Sequence, residues 1–253
     1  MKCLILAAGY ATRLYPLTEN FPKPLLKVGD KSILDWLVDD IRTAGLVDEF
    51  IVISNHKFAG HFQDWATRHS ESPSCHSERS EGICFTVVDD GTSTNDTRLG
   101  AVRDIQYAID SLGLDDDLLV VAGDNILDFS LVEFIKYAAS KRASCIMRYY
   151  EAEEKRLHKC GIVEIDGDDR IVGMEEKPAE PKSHWCCPPF YFYKREDARR
   201  VAEGIAAGCG VDAPGSFAAW LSTQVPVYAM EMPGRRYDIG DIDSYRRVCE
   251  HFA

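Results

Sequence analysis

Residues 4–14 read Leu4-Ile5-Leu6-Ala7-Ala8-Gly9-Tyr10-Ala11-Thr12-Arg13-Leu14, and the chain continues through Pro16-Leu17-Thr18 to Pro22-Lys23-Pro24-Leu25-Leu26. An apolar run of strand length stops in small residues, and two cations, Arg13 and Lys23, follow in one long loop. A strand that is apolar at consecutive positions is buried on both faces, as in a parallel sheet. Small residues at its carboxyl end let backbone N–H groups approach an anion, and nearby cations can complete a phosphate site. Taken singly, a glycine after a strand is a turn and a lone lysine is a surface residue. The order and spacing of the whole run carry the reading.

Outward from this run, helical and strand-like patterns alternate. Ser32 to Ile41 has helical periodicity, with Ser32 or Asp30 as N-cap and Gly45 closing it. Glu49–Ser54 is a second buried strand, and Lys57 to Arg68 a helix with Phe58, Phe62 and Trp65 on one side. Strands follow at Ile83–Val88, Leu118–Ala122 and Ala143–Tyr149. Between them lie a helix through Ile105 and Ile109 and one from Ser130 to Ser140. The alternation predicts an α/β fold: a three-layer, Rossmann-like, mostly parallel sheet with helices on both faces, and ligands at the carboxyl ends of its strands.

Downstream, Glu151–His158 reads as a charged linker, and Gly161–Ile165 and Arg170–Met174 as a β-hairpin. Pro188–Tyr193 reads as a strand, Lys194–Ala207 as one amphipathic helix ended by Gly208 and Gly210, and Phe217–Leu221 as a short helix. Val225–Met230 is a strand, and Asp243–Phe252 the last helix. We expect one domain over residues 1–253, with residues 69–82 as a flexible inserted loop, because that stretch is serine-rich and nearly free of apolar side chains. His69, Cys75 and His76 lack a fourth ligand at zinc spacing, so a surface loop is the better reading.

The formal charge of −12 argues against a nucleic-acid partner. Residues 1–31 run the other way, with Lys2, Arg13, Lys23, Lys27 and Lys31 against Glu19 and Asp30, so a small polyanion is drawn there. Nine cysteines at no metal-ligand spacing fit a reducing, cytoplasmic compartment. No membrane span and no signal peptide are expected. A homo-oligomer is compatible with the sequence.

The N-terminal run resembles the signature of the sugar-1-phosphate nucleotidyltransferase family, L-A-(A/G)-G-x-G-T-R-L-x-P-L-T followed by P-K-P-L-L. Gly123-Asp124-Asn125, Glu176-Lys177-Pro178 and Tyr237-Asp238-Ile239-Gly240 match the family's later motifs. The resemblance runs from residue 4 to about residue 245, with no hexapeptide repeats after it. Ala11 departs from it, standing where the family most often has a second glycine. In a left-handed conformation alanine costs roughly 1–2 kcal/mol, so either the loop takes negative φ there or the phosphate grip differs.

The resemblance implies roles. Leu6, Ala7, Ala8 and Gly9 line the nucleotide, and Gly100 lets the base lie flat on backbone. Arg13 neutralises departing pyrophosphate, and Lys23 the α-phosphate. Asp124 and Asp238 hold Mg²⁺. Asn125 and Glu176 bind sugar hydroxyls, as in the family's thymidylyltransferase branch for Asn125. Gly161 admits the sugar to backbone, and Lys177 meets its phosphate. The implied reaction joins a nucleoside triphosphate and a sugar 1-phosphate into a nucleotide-sugar and pyrophosphate. Two alternatives stand beside it: a nucleotide-sugar-binding regulatory homologue without turnover, and CMP transfer to an alcohol phosphate such as phosphocholine. A nicotinamide-dependent oxidoreductase is disfavoured, because Gly9 to Leu14 lacks the spacing of a dinucleotide fingerprint.

Overall fold

The opening apolar run forms strand β1 (Lys2–Leu6), and Cys3, Leu4 and Ile5 are fully buried. Successive strand residues face opposite ways, so both faces of β1 are covered. The computed structural model of the protein describes residues 1–70 and 83–252. After β1 come β2 (Lys27–Val28), β3 (Lys31–Ser32), α1 (Ile33–Arg42), β4 (Glu49–Ser54), α2 (Ala59–Ser70), β5 (Cys84–Asp89) and α3 (Ala101–Leu112). The middle of the chain forms β6 (Leu118–Ala122), β7 (Asn125–Leu127), α4 (Val132–Lys141), β8 (Ser144–Tyr150), α5 (Glu154–Leu157), β9 (Gly161–Ile165) and β10 (Ile171–Glu176). The remainder forms β11 (Trp185–Cys187), β12 (Phe190–Tyr193), α6 (Arg195–Ala198), α7 (Val201–Ala206), α8 (Gly215–Ser222), β13 (Val227–Glu231), β14 (Arg236–Asp238) and α9 (Ile242–His251).

These elements gather into two units. The first holds Met1–Arg98, Ala122–Val132 and Gly234–Ala253; the second holds Leu99–Val121 and Glu133–Pro233. In the first, β1, β4 and β5 pair in parallel, Leu6 beside Ile53 and Ser54 beside Asp89, as expected of doubly buried strands. Helix α1 starts at a reciprocal cap: the Ser32 hydroxyl accepts from Asp35 N–H at 3.1 Å while the Asp35 carboxylate accepts from Ser32 N–H at 2.9 Å. A separate ribbon pairs β14 antiparallel to β7, with Asp238 opposite Asn125. Leu14, Leu26, Ile126 and Ile239 share one buried cluster with Val28, Ile33 and Val248. Each follows closely on Arg13, Lys23, Asn125 or Asp238. The apolar anchors therefore fix the polar residues that precede them.

The second unit orders its strands β10-β9-β11-β8-β12-β6, with β13 parallel to β8 and the other pairs antiparallel. The fold is thus α/β with a mixed sheet, and the antiparallel pairs are concentrated here. Several local expectations are corrected. The charged linker contains one helical turn, α5, because Leu157 is buried beside Ile162 and Cys186. The helix expected over Lys194–Ala207 is two, α6 and α7, interrupted where Arg200 leaves helical geometry at φ −92°, ψ 4°. Strand β11 was not anticipated. His69 and Ser70 close α2 rather than open a loop: His69 Nε2 lies 3.0 Å from Asp35 Oδ1, which also accepts from Trp65 Nε1 at 2.7 Å. Residues 71–82, with Cys75 and His76, lie outside the described residues. Among the described residues no helix is long and apolar enough to cross a membrane, and the cysteines are unbridged.

Candidate active site

In the first unit the small-residue turn after β1 is partly woven into the sheet. Ala7 N–H donates to the Ile53 carbonyl at 2.9 Å, the Leu6 carbonyl accepts from Gly123 N–H at 3.1 Å, and the Ala8 carbonyl accepts from Asn55 Nδ2 at 3.0 Å. Ala7 and Ala8 are buried and Gly9 is exposed. A methyl group built on Gly9 would meet nothing within 4 Å, so the protein itself does not require glycine there. Ala11 takes the left-handed conformation, φ 47°, ψ 41°. The loop therefore keeps the shape that glycine would adopt, and alanine bears the strain. Its carbonyl accepts from Thr18 Oγ1 at 2.8 Å and from Leu14 N–H at 2.9 Å, and its methyl packs on the Leu14–Ile126–Ile239 cluster.

Beyond this turn, Lys23, Asp124, Asn125 and Arg236 form a continuous chain. Lys23, 7% exposed, donates to Asp124 Oδ2 at 2.7 Å. Asp124 Oδ1 accepts from Asn125 Nδ2 at 2.8 Å, and Asn125 Oδ1 accepts from Arg236 Nη1 at 2.8 Å. The same guanidinium nitrogen stands 3.9 Å from Asp238 Oδ2. A Cβ on Gly123, just before Asp124, would crowd Ile5 Cγ2 at 3.0 Å. The Arg13 guanidinium lies over the turn after Asp238, with both terminal nitrogens 4.0 Å from the Cβ position of Gly240. Asp241 caps α9, its carboxylate accepting from Ser244 N–H at 2.8 Å. That bond is the main reason its carboxyl is held below the ordinary range, with Arg13 contributing.

Asn125 is 1% exposed, and its amide joins Asp124 to Arg236: Nδ2 donates to Asp124 and Oδ1 accepts from Arg236. Arg236 was not picked out from the sequence. Its only local sign was a pair of arginines before an aromatic residue.

The donor set suits a hard cation. The Asp124 and Asp238 side chains are 37% and 54% exposed, and Asp238 pairs across the ladder with the residue after Asp124. Each carboxylate offers about four lone-pair sites, so the bonds on Asp124 leave capacity. Among the described residues no three His, Cys, Asp or Glu side chains converge to close a metal cage. Mg²⁺ commonly keeps several waters and is bound through one or two carboxylates together with substrate phosphates, and the Asp124–Asp238 pair is compatible with such a set.

At the end of β5, Asp90 is 6% exposed. Its Oδ1 accepts from Thr92 N–H at 2.6 Å, and its Oδ2 is buried without a hydrogen-bond partner. Burial pushes its carboxyl up, against the Thr92 N–H that favours the ionised form.

The second unit holds Gly100, Gly161, Glu176 and Lys177. Gly100 begins α3 at φ +91°, and a Cβ there would lie 2.6 Å from the Val211 carbonyl oxygen. One side of its α-carbon is thus filled by protein backbone. Glu176 ends β10 opposite Gly161. Built Cβ atoms on Gly161 and Gly215 would come 2.8 Å and 2.5 Å from its Oε2, so two glycines make room for one carboxylate. Burial pushes the Glu176 carboxyl up, opposed by Lys177, whose Nζ is 3.9 Å away. Lys177 itself sits at φ +49°, strained for a lysine, while its N–H donates to the Cys160 carbonyl at 3.0 Å. Gly215 was not foreseen; only its place at the start of α8 marked it.

A sequence model of the family described as Nucleotidyl transferase matches residues 2–253. The chain is 29% identical to the glucose-1-phosphate thymidylyltransferase of Mycobacterium tuberculosis over 206 residues, which are 81% of this chain and 65% of that protein. The protein of the same name from Mycolicibacterium smegmatis is 30% identical over 198 residues, 76% of this chain and 61% of that protein. The chain thus spans just under two thirds of the length of these relatives. A UDP-glucose pyrophosphorylase solved in complex with UDP-glucose shares the fold, with a TM-score of 0.81 at 19% identity over 99% of this chain and 97% of that one. The family match takes in the turn after β1, the β7–β14 ladder and the Glu176-Lys177 strand end alike, and the chain belongs to the nucleotidyl transferase family.

Proposed function

We propose that the protein transfers a nucleotidyl group from a nucleoside triphosphate to a sugar 1-phosphate, releasing pyrophosphate. The observation that supports this most is the chain Lys23–Asp124–Asn125–Arg236, which joins the loop after β1 to β7 and β14 and ends beside Asp238. It gathers cations and carboxylates, groups suited to handling phosphate charge.

Both substrates are anions, so their mutual repulsion is the chemical problem. The sugar-phosphate oxygen, already deprotonated at neutral pH, attacks the α-phosphorus as the bond to the β-phosphate oxygen breaks. Catalysis is positioning and charge neutralisation. The loop at Gly9 admits the triphosphate, Ala7 N–H being engaged by Ile53. Arg13 neutralises departing pyrophosphate and Lys23 the α-phosphate. Asp124 and Asp238 hold Mg²⁺, which supplies Lewis-acid polarisation of the α-phosphate when bound. In the second unit Glu176 accepts hydrogen bonds from sugar hydroxyls, Lys177 meets the sugar phosphate, and Gly100 serves the base. The site of action is a reducing, cytoplasmic compartment, the reading that the nine scattered cysteines of the sequence suggest.

The test is pyrophosphate release across the common nucleoside triphosphates and a panel of sugar 1-phosphates, with CTP plus phosphocholine as a separate arm. Turnover with at least one sugar 1-phosphate is expected. Turnover only in the phosphocholine arm moves the acceptor to an alcohol phosphate. Nucleotide-sugar binding without turnover in any arm makes the protein a sensor.

A further inference from the structure

Arg236 lies in β14 across from Leu127, two residue pairs along the ladder from Asp238–Asn125. Its Nη1 reaches diagonally to Asn125 Oδ1 at 2.8 Å while remaining 3.9 Å from Asp238 Oδ2. Asn125 cannot turn freely. It is 1% exposed, and its Nδ2 donates to Asp124 Oδ1 at 2.8 Å and to the Ala122 carbonyl at 3.4 Å. An amide offers donors at one end and acceptors at the other, so an arginine at its oxygen fixes which end faces Asp124. Lys23 holds the second Asp124 oxygen at 2.7 Å. Two cations therefore flank the two carboxylates, one on each side of Asn125.

We infer that Arg236 is a positioning residue with two effects on the candidate metal site. Through Asn125 it sets the orientation of the Asp124 carboxylate. Through its own charge beside Asp238 it weakens the hold of the two carboxylates on a divalent cation until the triphosphate brings further negative charge. This rests on the metal reading given above. An enzyme that must bind metal and triphosphate together gains from such a bias, because metal alone does not fill the site. Removing one unit charge about 4 Å from a partly exposed carboxylate is expected to tighten binding of a bare divalent cation by about three- to tenfold, since solvent screens most of the Coulomb term.

The full chain can be tested with Mn²⁺ as the probe, its free concentration followed by electron paramagnetic resonance, with and without an α,β-methylene triphosphate analogue. Arg236→Gln keeps length and polarity but removes the charge. It should bind Mn²⁺ alone about three- to tenfold more tightly than the wild type, while turning over about tenfold more slowly because Asn125 is no longer braced. Arg236→Lys keeps the charge without the planar fork. It should leave Mn²⁺ affinity at the wild-type value and still lose turnover, which keeps the test decisive should Arg236→Gln fail to fold. Unchanged or weaker Mn²⁺ binding by a folded Arg236→Gln, or full turnover by Arg236→Lys, overturns the inference while leaving the metal reading intact. Wild-type protein that binds no Mn²⁺ under either condition overturns the metal reading itself, and this inference with it.

Discussion

Asp124 lies in the first unit and Glu176 in the second, and the surroundings of these two carboxylates are opposite. Asp124, in the first unit, has one oxygen on Lys23 at 2.7 Å and the other on Asn125 at 2.8 Å. Glu176, in the second, sits in a space cleared by Gly161 and Gly215, and among the described residues its charged partner within 4 Å is Lys177 at 3.9 Å. The first carboxylate is held by one cation and one amide before any ligand arrives. The second is four-fifths covered, and that burial pushes its carboxyl up. A partly buried carboxylate gives up part of its hydration, and under the proposed function sugar hydroxyls would replace it. The proposed function assigns phosphate charge to the first region and sugar hydroxyls to the second.

The largest expected effect probes the charge-handling side. Arg13→Ala should lower kcat on the order of a hundredfold, because its cation matters most as pyrophosphate departs. Arg13→Lys should recover only part of this. A raised KM with unchanged kcat would show instead that Arg13 binds ground state and transition state alike. Steady-state kinetics separate the two outcomes.

Gly215→Ala tests the hydroxyl side. The added methyl would stand 2.5 Å from Glu176 Oε2, the far end of a flexible side chain that can move aside. We expect a loss of about tenfold in kcat/KM for the sugar phosphate, little change in KM for the triphosphate, and a nearly unchanged melting temperature. An equal loss toward both substrates would blur the distinction between the regions.

Two glycines sharpen it further. Gly9 faces open space, so Gly9→Ala should melt like the wild type but bind triphosphate several-fold more weakly. Gly100 stands at φ +91° with its Cβ position 2.6 Å from a backbone oxygen. Gly100→Ala should therefore destabilise the protein by roughly 2–4 kcal/mol through strain and overlap. Thermal melts and triphosphate titration on both variants check this. Destabilisation by Gly9→Ala would mean that the open space is not kept for a ligand.

The smallest effect lies away from both regions. Asp35 lowers with partners that include His69 and Trp65, in spite of burial, and its bond to Asp35 raises His69 above its ordinary 6.5. The His69 contribution is full below 6.5 and is lost as pH rises through its raised value; that of Asp35 is full above its ordinary 3.8 and is lost as pH falls. The pair should thus stabilise most between these values, with Ser32 N–H, Trp65 Nε1 and the Asp39 charge also acting on it. His69→Gln should flatten the decline of melting temperature above pH 6.5, an effect of at most about 1 kcal/mol for a partly exposed pair. An unchanged pH profile would remove the ion pair from the account.

Much of the frame was legible because long apolar runs declare themselves. β4 and β6 begin and end where the sequence reading placed them, since strands buried on both faces read as nearly continuous apolar runs. Short elements were not legible. β7 and β14 have three residues each and are far apart in the chain, so their pairing is a tertiary event without a local signal. With them went Arg236 and the true surroundings of Asn125. Gly215 escaped for the same reason, since nothing next to it in sequence announces that Glu176 needs its space. Ala11 was legible as a question, and its left-handed backbone answers it.

The central claim is that β7 and β14 bring Asp124 and Asp238 into one phosphate-handling and metal-handling set. Asp238 and Asp241 provide the most direct test, because they stand three residues apart in sequence and differ in surroundings. Asp238 lies on the ladder opposite Asn125, whereas Asp241 caps α9 through Ser244. Pyrophosphate release should be measured for Asp238→Asn and Asp241→Asn side by side at limiting Mg²⁺. The account predicts a folded Asp238→Asn that has lost turnover on the order of a hundredfold and an Asp241→Asn close to the wild type. Equal losses in both variants, or normal turnover by Asp238→Asn, would contradict it.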